Sequence, residues 1–130
     1  MERLPGLLAW LLPQRTREGT RVEIREMQRE VDRWIAPLGY WHPLANLARL
    51  TEEVGELARE VNHRWGPKTK KPTEEPGDLA LEMGDILFVL AVMANQMNVD
   101  LDDAVQRVLA KYRERDADRW TRKNSLDGSE

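Results

Sequence analysis

Nine consecutive apolar residues, at positions 86–94, lie in the second half of this 130-residue chain. The run is much shorter than the roughly 20 residues that a helix needs to cross a bilayer. Its alanines and methionine favour helix over strand, and Glu82 and Asp85 precede it without a turn signal. We therefore predict a helix at about residues 79–97 that is buried nearly all round and forms the centre of the core.

Three further segments have apolar residues at helical spacing. Thr20 and Glu23 form a capping box before the first helix, which ends at a Pro-Leu-Gly sequence. The second begins near Pro43, a favoured first-turn residue, and ends at residues 65–67. Asp100 caps the fourth. No segment alternates as a strand does, so the sequence predicts an all-α, four-helix bundle-like fold with short connections.

The chain divides into an N-terminal arm at residues 1–19, a helical domain at 20–123 and a C-terminal tail at 124–130. The arm is interrupted by proline and glycine, is too short to span a bilayer and has no cleavage site for a signal peptide. Its apolar residues are Leu7, Leu8, Trp10, Leu11 and Leu12. They are consistent equally with docking on a partner subunit and with an ordinary chain terminus.

The charge balance limits the possible partners. The chain has 23 acidic and 20 basic residues and a sequence pI near 5.5. Proteins that bind nucleic acid polymers or membrane surfaces are usually basic, so we expect neither partner. The absence of cysteine excludes disulfides, thiolate metal sites and cysteine nucleophiles, and it favours a cytoplasmic protein.

Two acidic couplets carry the chemistry that the sequence predicts. Glu53 and Glu56 lie in the second helix, and Glu82 and Asp85 lie in the third. Carboxylates three residues apart project from the same helical face, so each couplet offers two oxygen ligands to one cation. Two such helices packed together form a four-carboxylate cage, which is a site for Mg²⁺ and for phosphate chemistry.

Each couplet also contains a glycine, Gly55 or Gly84, directly before its second acidic residue. A glycine inside a helix costs about 1 kcal/mol relative to alanine. We therefore expect the two helices to approach closely at these positions. The alternative is that the acidic residues are ordinary solvated helix residues. The repeated couplet and its attachment to the most apolar helix favour the metal site, because four unpaired buried carboxylates would be very costly.

Three stretches resemble the MazG-like all-α nucleoside triphosphate pyrophosphohydrolases, closest to the short single-domain bacterial members. They are LTEEVGELAREVNHRW at 50–65, EMGDILF at 82–88 and KYRERDADRW at 111–120. The resemblance extends over about residues 22–123. Its pattern is EExxE, a variable gap and ExxD. The chain meets it with Glu52, Glu53, Glu56, Glu82 and Asp85.

The resemblance implies metal-dependent hydrolysis of nucleoside triphosphates, expected to be deoxynucleotides or non-canonical nucleotides, to monophosphate and pyrophosphate. This reaction removes unwanted nucleotides from the pool. The implied ligands of Mg²⁺, for which Mn²⁺ is an alternative, are Glu53, Glu56, Glu82 and Asp85. Either Glu52 or Glu53 is expected to hold and deprotonate the attacking water.

Cationic and aromatic side chains are the candidate substrate contacts. Lys111 and Arg115 resemble the basic pair of the family, although a solvated basic helix end is the alternative. The loop after the second helix contains lysines 68, 70 and 71. They either cover the phosphates when substrate binds or serve only to keep the loop soluble. Trp41, His63 and Trp65 are candidates for nucleobase recognition, whereas Trp34 is assigned to the core.

The resemblance further implies a homodimer or a dimer of dimers whose active site takes residues from a neighbouring subunit. Two alternative functions remain open on the sequence. One is a phosphoribosyl-ATP pyrophosphohydrolase type of activity, which keeps the chemistry and changes the substrate. The other is a non-enzymatic helical regulator that binds a metal or a nucleotide.

Overall fold

The computed structural model describes residues 23–116 and 118–119, so the predicted arm and tail lie outside it. Within these residues the chain forms four helices and no strand, which confirms the predicted all-α fold. The helices are α1 (Ile24–Ile35), α2 (Pro43–Trp65), α3 (Leu79–Gln96) and α4 (Leu101–Arg115). α3 packs against both α1 and α2, and α4 packs against α1.

Three helices begin at a side chain that accepts a hydrogen bond from the first turn. His42 Nδ1 accepts from the Leu44 amide, ahead of Pro43 at the first position of α2. Asp78 and Asp100 do the same for α3 and α4, each accepting two amide N–H groups. The predicted capping box of α1 is wrong. Glu23 is itself the N-cap, extended and without a side-chain capping bond, and Thr20 lies outside the described residues.

The core is small and belongs mostly to α3. Val31 of α1 is buried against Ala91 and Val92, with Met27, Ile35, Tyr40 and Phe88 packed around them. The prediction that α3 is buried all round is wrong for the single chain, because Leu81 is 66% exposed and Leu87 is 51% exposed. Trp34 is not a core residue either. It is 63% exposed and meets the Phe88 ring edge-on, with ring centroids 5.7 Å apart.

A second apolar stripe, on α2, is left uncovered by the described chain. Leucines 50 and 57 are half-buried, but the neighbouring stripe is exposed along the whole helix. We call it the α2 seam; its members are Leu44, Leu47, Thr51, Val54, Ala58, Val61 and Trp65. Their spacing alternates between three and four residues, which is the heptad pattern by which helices pair in coiled coils. A helix that presents such a stripe is suited to pack on another helix.

α3 is the one described helix that is long and apolar enough to cross a membrane, and helices in the cores of soluble proteins also meet that criterion. It carries Glu82 and Asp85 in its first two turns and supplies four of the buried residues of the core. It also has exposed apolar side chains of its own, which are Leu81, Met83, Leu87 and Leu90.

One glutamine joins α1 to the turn between α3 and α4. The Gln28 amide donates to Asn95 Oδ1 at 3.1 Å and to the Val99 carbonyl at 2.8 Å. Its oxygen accepts from the Leu101 amide at 3.0 Å, and Asn95 returns a bond to the Gln28 carbonyl at 2.8 Å. Arg25 adds ion pairs to Asp100 and Asp102. Because α4 packs mainly on α1, these bonds determine where α4 lies.

We expect Gln28→Ala to lower the free energy of unfolding by about 2–3 kcal/mol, because it leaves several partly buried polar groups without partners. The matched control is Gln106→Ala on α4, whose exposed side chain makes one hydrogen bond, to Asp102. That change should cost less than about 0.5 kcal/mol. Urea denaturation of both variants measures the difference. Equal midpoints would show that Gln28 does not hold the helices together.

Candidate active site

The structure brings three of the predicted carboxylates together across the α2–α3 pair. Glu53, Glu82 and Asp85 each offer one oxygen, and these oxygens all lie within 4.8 Å of one another. Glu53 and Glu82 are half-buried and Asp85 is exposed. We call this set the acidic cluster. Oxygen ligands at such separations match what a small divalent cation requires.

The two helices meet in this register because they run antiparallel and are fixed at both ends. At one end the Asn46 amide of α2 donates to Gln96 Oε1 of α3 at 2.9 Å. At the other end Gly77, just before α3, packs directly on the Glu60 carboxylate of α2. The acidic cluster lies between these two contacts. Its position therefore follows from the packing of the two helices and from the contacts at their ends, and not from any bond between the carboxylates.

The predicted close approach at the two helical glycines is not what the structure shows. A Cβ atom built on Gly55 or Gly84 would meet no other atom within 4 Å. Both residues lie on exposed surface beside apolar neighbours, Val54 and Met83. Within one chain these glycines therefore leave open space. The glycines that do make close contacts are Gly66, against Asn62 at the end of α2, and Gly77, against Glu60 in the loop.

Glu56 and Glu52 stand outside the acidic cluster. Glu56 is exposed, and its Oε2 atom lies 3.9 Å from Arg59 Nη1. It is near enough that its charge contributes to the raised pKa of Glu82. Glu52 is exposed and belongs to no described ion pair or hydrogen bond. The proposed ligand role of Glu56 and the water-activating role of Glu52 or Glu53 therefore stay predictions.

Burial raises the pKa of Glu82 above its ordinary value of 4.5, and the negative charges of Asp85, Glu56, Glu53 and Glu60 raise it further. Only one cation is paired with a member of the cluster in the described chain: Arg49, whose Nε lies 3.9 Å from Glu53 Oε1. The carboxylates therefore repel one another. A divalent cation between them would remove that repulsion, so the donor set fits such an ion.

An apolar pocket near the start of α2 is linked to the acidic cluster by Arg49, which lines the pocket and pairs with Glu53. It has a volume of about 140 Å³ and is lined by Trp41, Asn46, Arg49 and four residues that complete its walls: Ile35, Leu38, Gly39 and Val92. The Arg49 guanidinium lies 5.7 Å from the Trp41 ring and 5.6 Å from the Phe88 ring. The sequence analysis missed Arg49. Its spacing of one helical turn before Glu53 was the available signal.

Trp41 has a fixed backbone and an open side chain. Its carbonyl accepts hydrogen bonds from Gln96 at 2.9 Å and from the buried Asn46 at 3.4 Å. Its side chain is 61% exposed at the rim of the apolar pocket. Trp65 is also exposed, but it lies at the far end of α2, about 33 Å away at 1.5 Å per residue. The two tryptophans cannot form one platform within a single chain.

A second pocket lies where α2 meets the α2–α3 loop. We call it the loop pocket; it has a volume of about 260 Å³ and is lined by Glu60, His63, Arg64, Lys70, Pro76 and Gly77. Lys70 Nζ contacts Glu60 Oε1 at 2.8 Å and donates to the Glu75 carbonyl at 2.8 Å. Its hydrogen bond lowers the pKa of Glu60. His63 Nδ1 is buried without a hydrogen-bond partner.

The loop is tied to α2 at two further points. Arg59 Nη2 pairs with Glu74 Oε1 at 3.0 Å, and Arg64 donates to the Gly77 carbonyl at 3.4 Å. Burial acts to raise the pKa of Glu74, but the charge of Arg59 and the other favourable contacts outweigh it, so that pKa is lowered. The loop is therefore held against the helix by ion pairs.

The predicted basic pair lies elsewhere in the single chain. Lys111 and Arg115 are exposed on α4, which packs mainly on α1. Arg115 Nε lies 3.5 Å from the buried Asp116, which also binds Arg119 at 2.9 Å. None of the described ion pairs joins Lys111 or Arg115 to the acidic cluster, so their contact with substrate stays a prediction.

A family model for the MazG nucleotide pyrophosphohydrolase domain matches residues 42–120. The chain is 54% identical over 102 residues to YpjD of Bacillus subtilis, covering 77% of this chain and 92% of that protein. It is similar to the crystal structure of YpjD, with a TM-score of 0.66 and 46% identity, covering 75% of this chain and 99% of that one. A Bacillus-conserved MazG protein, a nucleotide pyrophosphohydrolase, matches with a TM-score of 0.60 and 45% identity, covering 78% and 98% of the two chains.

The raised pKa of Glu82 predicts a pH dependence of stability. Below pH 4.5 Glu82 is protonated in both the folded and the unfolded chain, and its effect is absent. As the pH rises through the higher pKa of the folded state, the folded chain loses stability, because it must carry the charge beside other carboxylates. In metal-free buffer at pH 7 we therefore expect Glu82→Gln to melt at a higher temperature than the unsubstituted protein.

Melting curves from pH 4 to 8, with EDTA and with Mg²⁺, measure this effect. The difference should shrink toward pH 4, and Mg²⁺ should stabilise the unsubstituted protein more than the variant. The control is Glu52→Gln, an exposed neighbour outside the cluster, which should leave both curves unchanged. A lower melting temperature for Glu82→Gln in EDTA would show that the cluster does not carry repulsion.

Proposed function

The chain belongs to the MazG nucleotide pyrophosphohydrolase family, and we propose that it hydrolyses nucleoside triphosphates, deoxynucleotides or non-canonical nucleotides in particular, with Mg²⁺ as cofactor. The observation that carries the proposal is the meeting of Glu53, Glu82 and Asp85 across two helices. The proposed role is the removal of non-standard or excess nucleotides from the cytoplasmic pool. Mn²⁺ is the expected substitute for Mg²⁺.

In the proposed site Glu53, Glu82 and Asp85 would hold the cation, with Glu56 as the proposed fourth ligand. The cation supplies neutralisation of the charge on the phosphate oxygens. Glu52 or Glu53 orients a water molecule and accepts its proton. The water oxygen forms a bond to the α-phosphorus, the bond from that phosphorus to the α–β bridging oxygen breaks, and that oxygen leaves with pyrophosphate. The products are the nucleoside monophosphate and pyrophosphate.

The apolar pocket beside Arg49 is the proposed place of the nucleobase. Trp41 at its rim offers a flat face for stacking, and the pocket adjoins Glu53, so a bound base would leave its phosphates over the acidic cluster. Arg49 supplies hydrogen-bond donors at the same place. A substrate that differs in base or sugar, such as a phosphoribosyl nucleotide, would place different groups in this pocket, and a substrate panel separates these cases.

The proposed assembly is a homodimer or a dimer of dimers. The α2 seam and the exposed side chains of α3 support it, because together they leave a long apolar surface that a second copy would cover. If two α2 seams pair in antiparallel fashion, the Trp65 end of one copy comes level with the Trp41 end of the other. A neighbouring subunit is also the proposed source of Lys111 and Arg115, because within one chain α4 packs on α1 and not on the α2–α3 pair that carries the acidic cluster.

The proposed reaction is tested by pyrophosphate release from a panel of canonical and modified nucleoside triphosphates. We expect monophosphate as co-product, dependence on Mg²⁺ or Mn²⁺, and no release with EDTA. Glu53→Gln and Asp85→Asn should each lower kcat/KM at least about 100-fold, because the charge that holds the cation is lost. Glu114→Gln, an exposed residue of α4, is the control and should keep full activity.

Circular dichroism of the same variants separates catalysis from folding. Variants that stay helical without turnover support a catalytic site. Full activity of Asp85→Asn would contradict the proposed ligand set. A chain that binds Mg²⁺ but hydrolyses no nucleotide in the panel would favour a binding protein over an enzyme.

The proposed assembly is tested by sedimentation. At micromolar concentration we expect the unsubstituted chain to sediment as a dimer or a tetramer. Leu47→Lys should give monomers, because it places a charge within the apolar α2 seam. Its sequence neighbour Ala48 is exposed but off the seam, so Ala48→Lys should leave the assembly unchanged. An active monomer would contradict the proposal.

A further inference from the structure

We propose that the loop pocket binds the β- and γ-phosphates of the substrate, the part that leaves as pyrophosphate, and that Lys70 is the residue that holds them. This inference rests on the proposed hydrolysis and assigns its leaving group to a place on the protein. The sequence left Lys70 undistinguished from Lys68 and Lys71. The structure separates them, because Lys70 lines the pocket and is half-buried, whereas Lys68 and Lys71 are exposed.

The Lys70 ammonium group is held in place by two contacts and has a third N–H donor for another partner. An ammonium group has three N–H donors. One points to Glu60 Oε1 at 2.8 Å and one to the Glu75 carbonyl at 2.8 Å. The third is free among the described contacts to donate to an anion. A charge-assisted bond from a fixed ammonium group to a phosphate oxygen is among the stronger hydrogen bonds in proteins.

Glu60 fixes this geometry because its carboxylate is buried and closely packed. It is 7% exposed, and Gly77 packs on its carboxylate so closely that a Cβ at position 77 would overlap it. Burying an ion pair commonly costs as much as it gains, so the pair adds little to stability. Its clear effect is to hold the Lys70 ammonium group at a defined point beside α2.

The loop pocket continues the line of the acidic cluster along α2. Glu53 and Glu60 are seven residues apart, so they share a helical face and are about 10 Å apart along the axis. A triphosphate with its α-phosphate at the cluster therefore points its far end toward Lys70.

The surface on the other side of the acidic cluster, toward the start of α2, is mainly apolar and aromatic. The apolar pocket of Trp41 and Arg49 lies one helical turn before Glu53, and the loop pocket lies after it. An aromatic pocket, a carboxylate cluster and a cationic pocket thus follow one another along one helix. A nucleoside triphosphate has the matching order of base, cation-bound phosphate and terminal phosphates, so the polarity of the site sets the direction of the substrate.

Two further side chains of the loop pocket suit an anion. His63 Nδ1 is buried without a partner, and buried polar atoms are nearly always bonded. The imidazole lines the loop pocket, so an anion bound there would lie against it. Arg64 lines the same pocket and is held by a 3.4 Å bond to the Gly77 carbonyl. Lys70 and Arg64 together outnumber the single carboxylate of Glu60 on the pocket wall.

Inorganic pyrophosphate is the probe. Its dissociation constant is measured by calorimetry on the full chain in Mg²⁺, for the unsubstituted protein and its variants. Lys70→Met alone leaves the buried Glu60 carboxylate without its cation, so the double variant Glu60→Gln/Lys70→Met carries the decisive measurement. It should weaken pyrophosphate binding about tenfold and leave nucleoside monophosphate binding unchanged. Lys70→Arg should recover most of the loss, because it restores the cation beside Glu60.

Lys68→Met and Lys71→Met are the matched controls, because they remove the same charge from exposed positions in the same loop. Both should change pyrophosphate binding less than about twofold. Pyrophosphate binding by the double variant equal to that of these controls would overturn the inference. So would an equal loss of pyrophosphate and monophosphate binding, which would indicate a general effect on the site.

Calorimetry needs no turnover, so the two proposals fail separately. Lys70-dependent pyrophosphate binding by a chain that hydrolyses none of the triphosphates would support the loop pocket and contradict the proposed reaction. Rapid hydrolysis with pyrophosphate binding that ignores Lys70 would support the reaction and overturn the loop pocket. In the active enzyme, Lys70 variants should raise KM and the inhibition constant of pyrophosphate together.

Discussion

The antiparallel packing of α2 on α3 is the constraint on which the rest of the site depends. It brings Glu53 level with Glu82 and Asp85, against the mutual repulsion of their charges. The energy that opposes this repulsion comes from outside the cluster, from the apolar core of α3 and from the contacts at the two ends of the pair. Asn46 holds one end and Glu60 with Gly77 holds the other. The repulsion between the carboxylates thus destabilises the site, and the packing around it offsets that repulsion.

Much of this fold follows from the sequence by elementary rules. Helical periodicity, Pro43 at a first turn and Asp100 at a cap were enough to predict four helices and most of their ends. The couplet spacing also predicted that carboxylates of α2 and α3 meet, which holds for Glu53, Glu82 and Asp85 but not for Glu56, which stays outside the acidic cluster. The start of α1 was missed because Glu23 occupies the cap position itself, and local sequence does not distinguish a capping residue from the third residue of a capping box.

What the sequence did not reveal concerns which surfaces are covered. Periodicity shows that a helix has an apolar stripe, but α2 has two neighbouring stripes, and only tertiary packing decides that the one containing Leu50 faces inward and the one containing Leu47 faces outward. Trp34 was misassigned for the same reason. Arg49 was missed, and Lys70 was not separated from Lys68 and Lys71, because the contacts that distinguish them form only in the folded chain, with Phe88 for Arg49 and Glu60 for Lys70.

Gly77 has a consequence for how such chains change over evolutionary time. The backbone of Gly77 packs on the Glu60 carboxylate, which fixes where α3 begins relative to α2. Glu82 and Asp85 therefore keep their register against Glu53. The stretch between the end of α2 and Lys70 does not fix the register of the two helices. Insertions and deletions there would change the length of the loop while Gly77 stays packed on Glu60. This arrangement permits a gap of variable length between the two acidic couplets, because Gly77 marks where the fixed part of the connection begins.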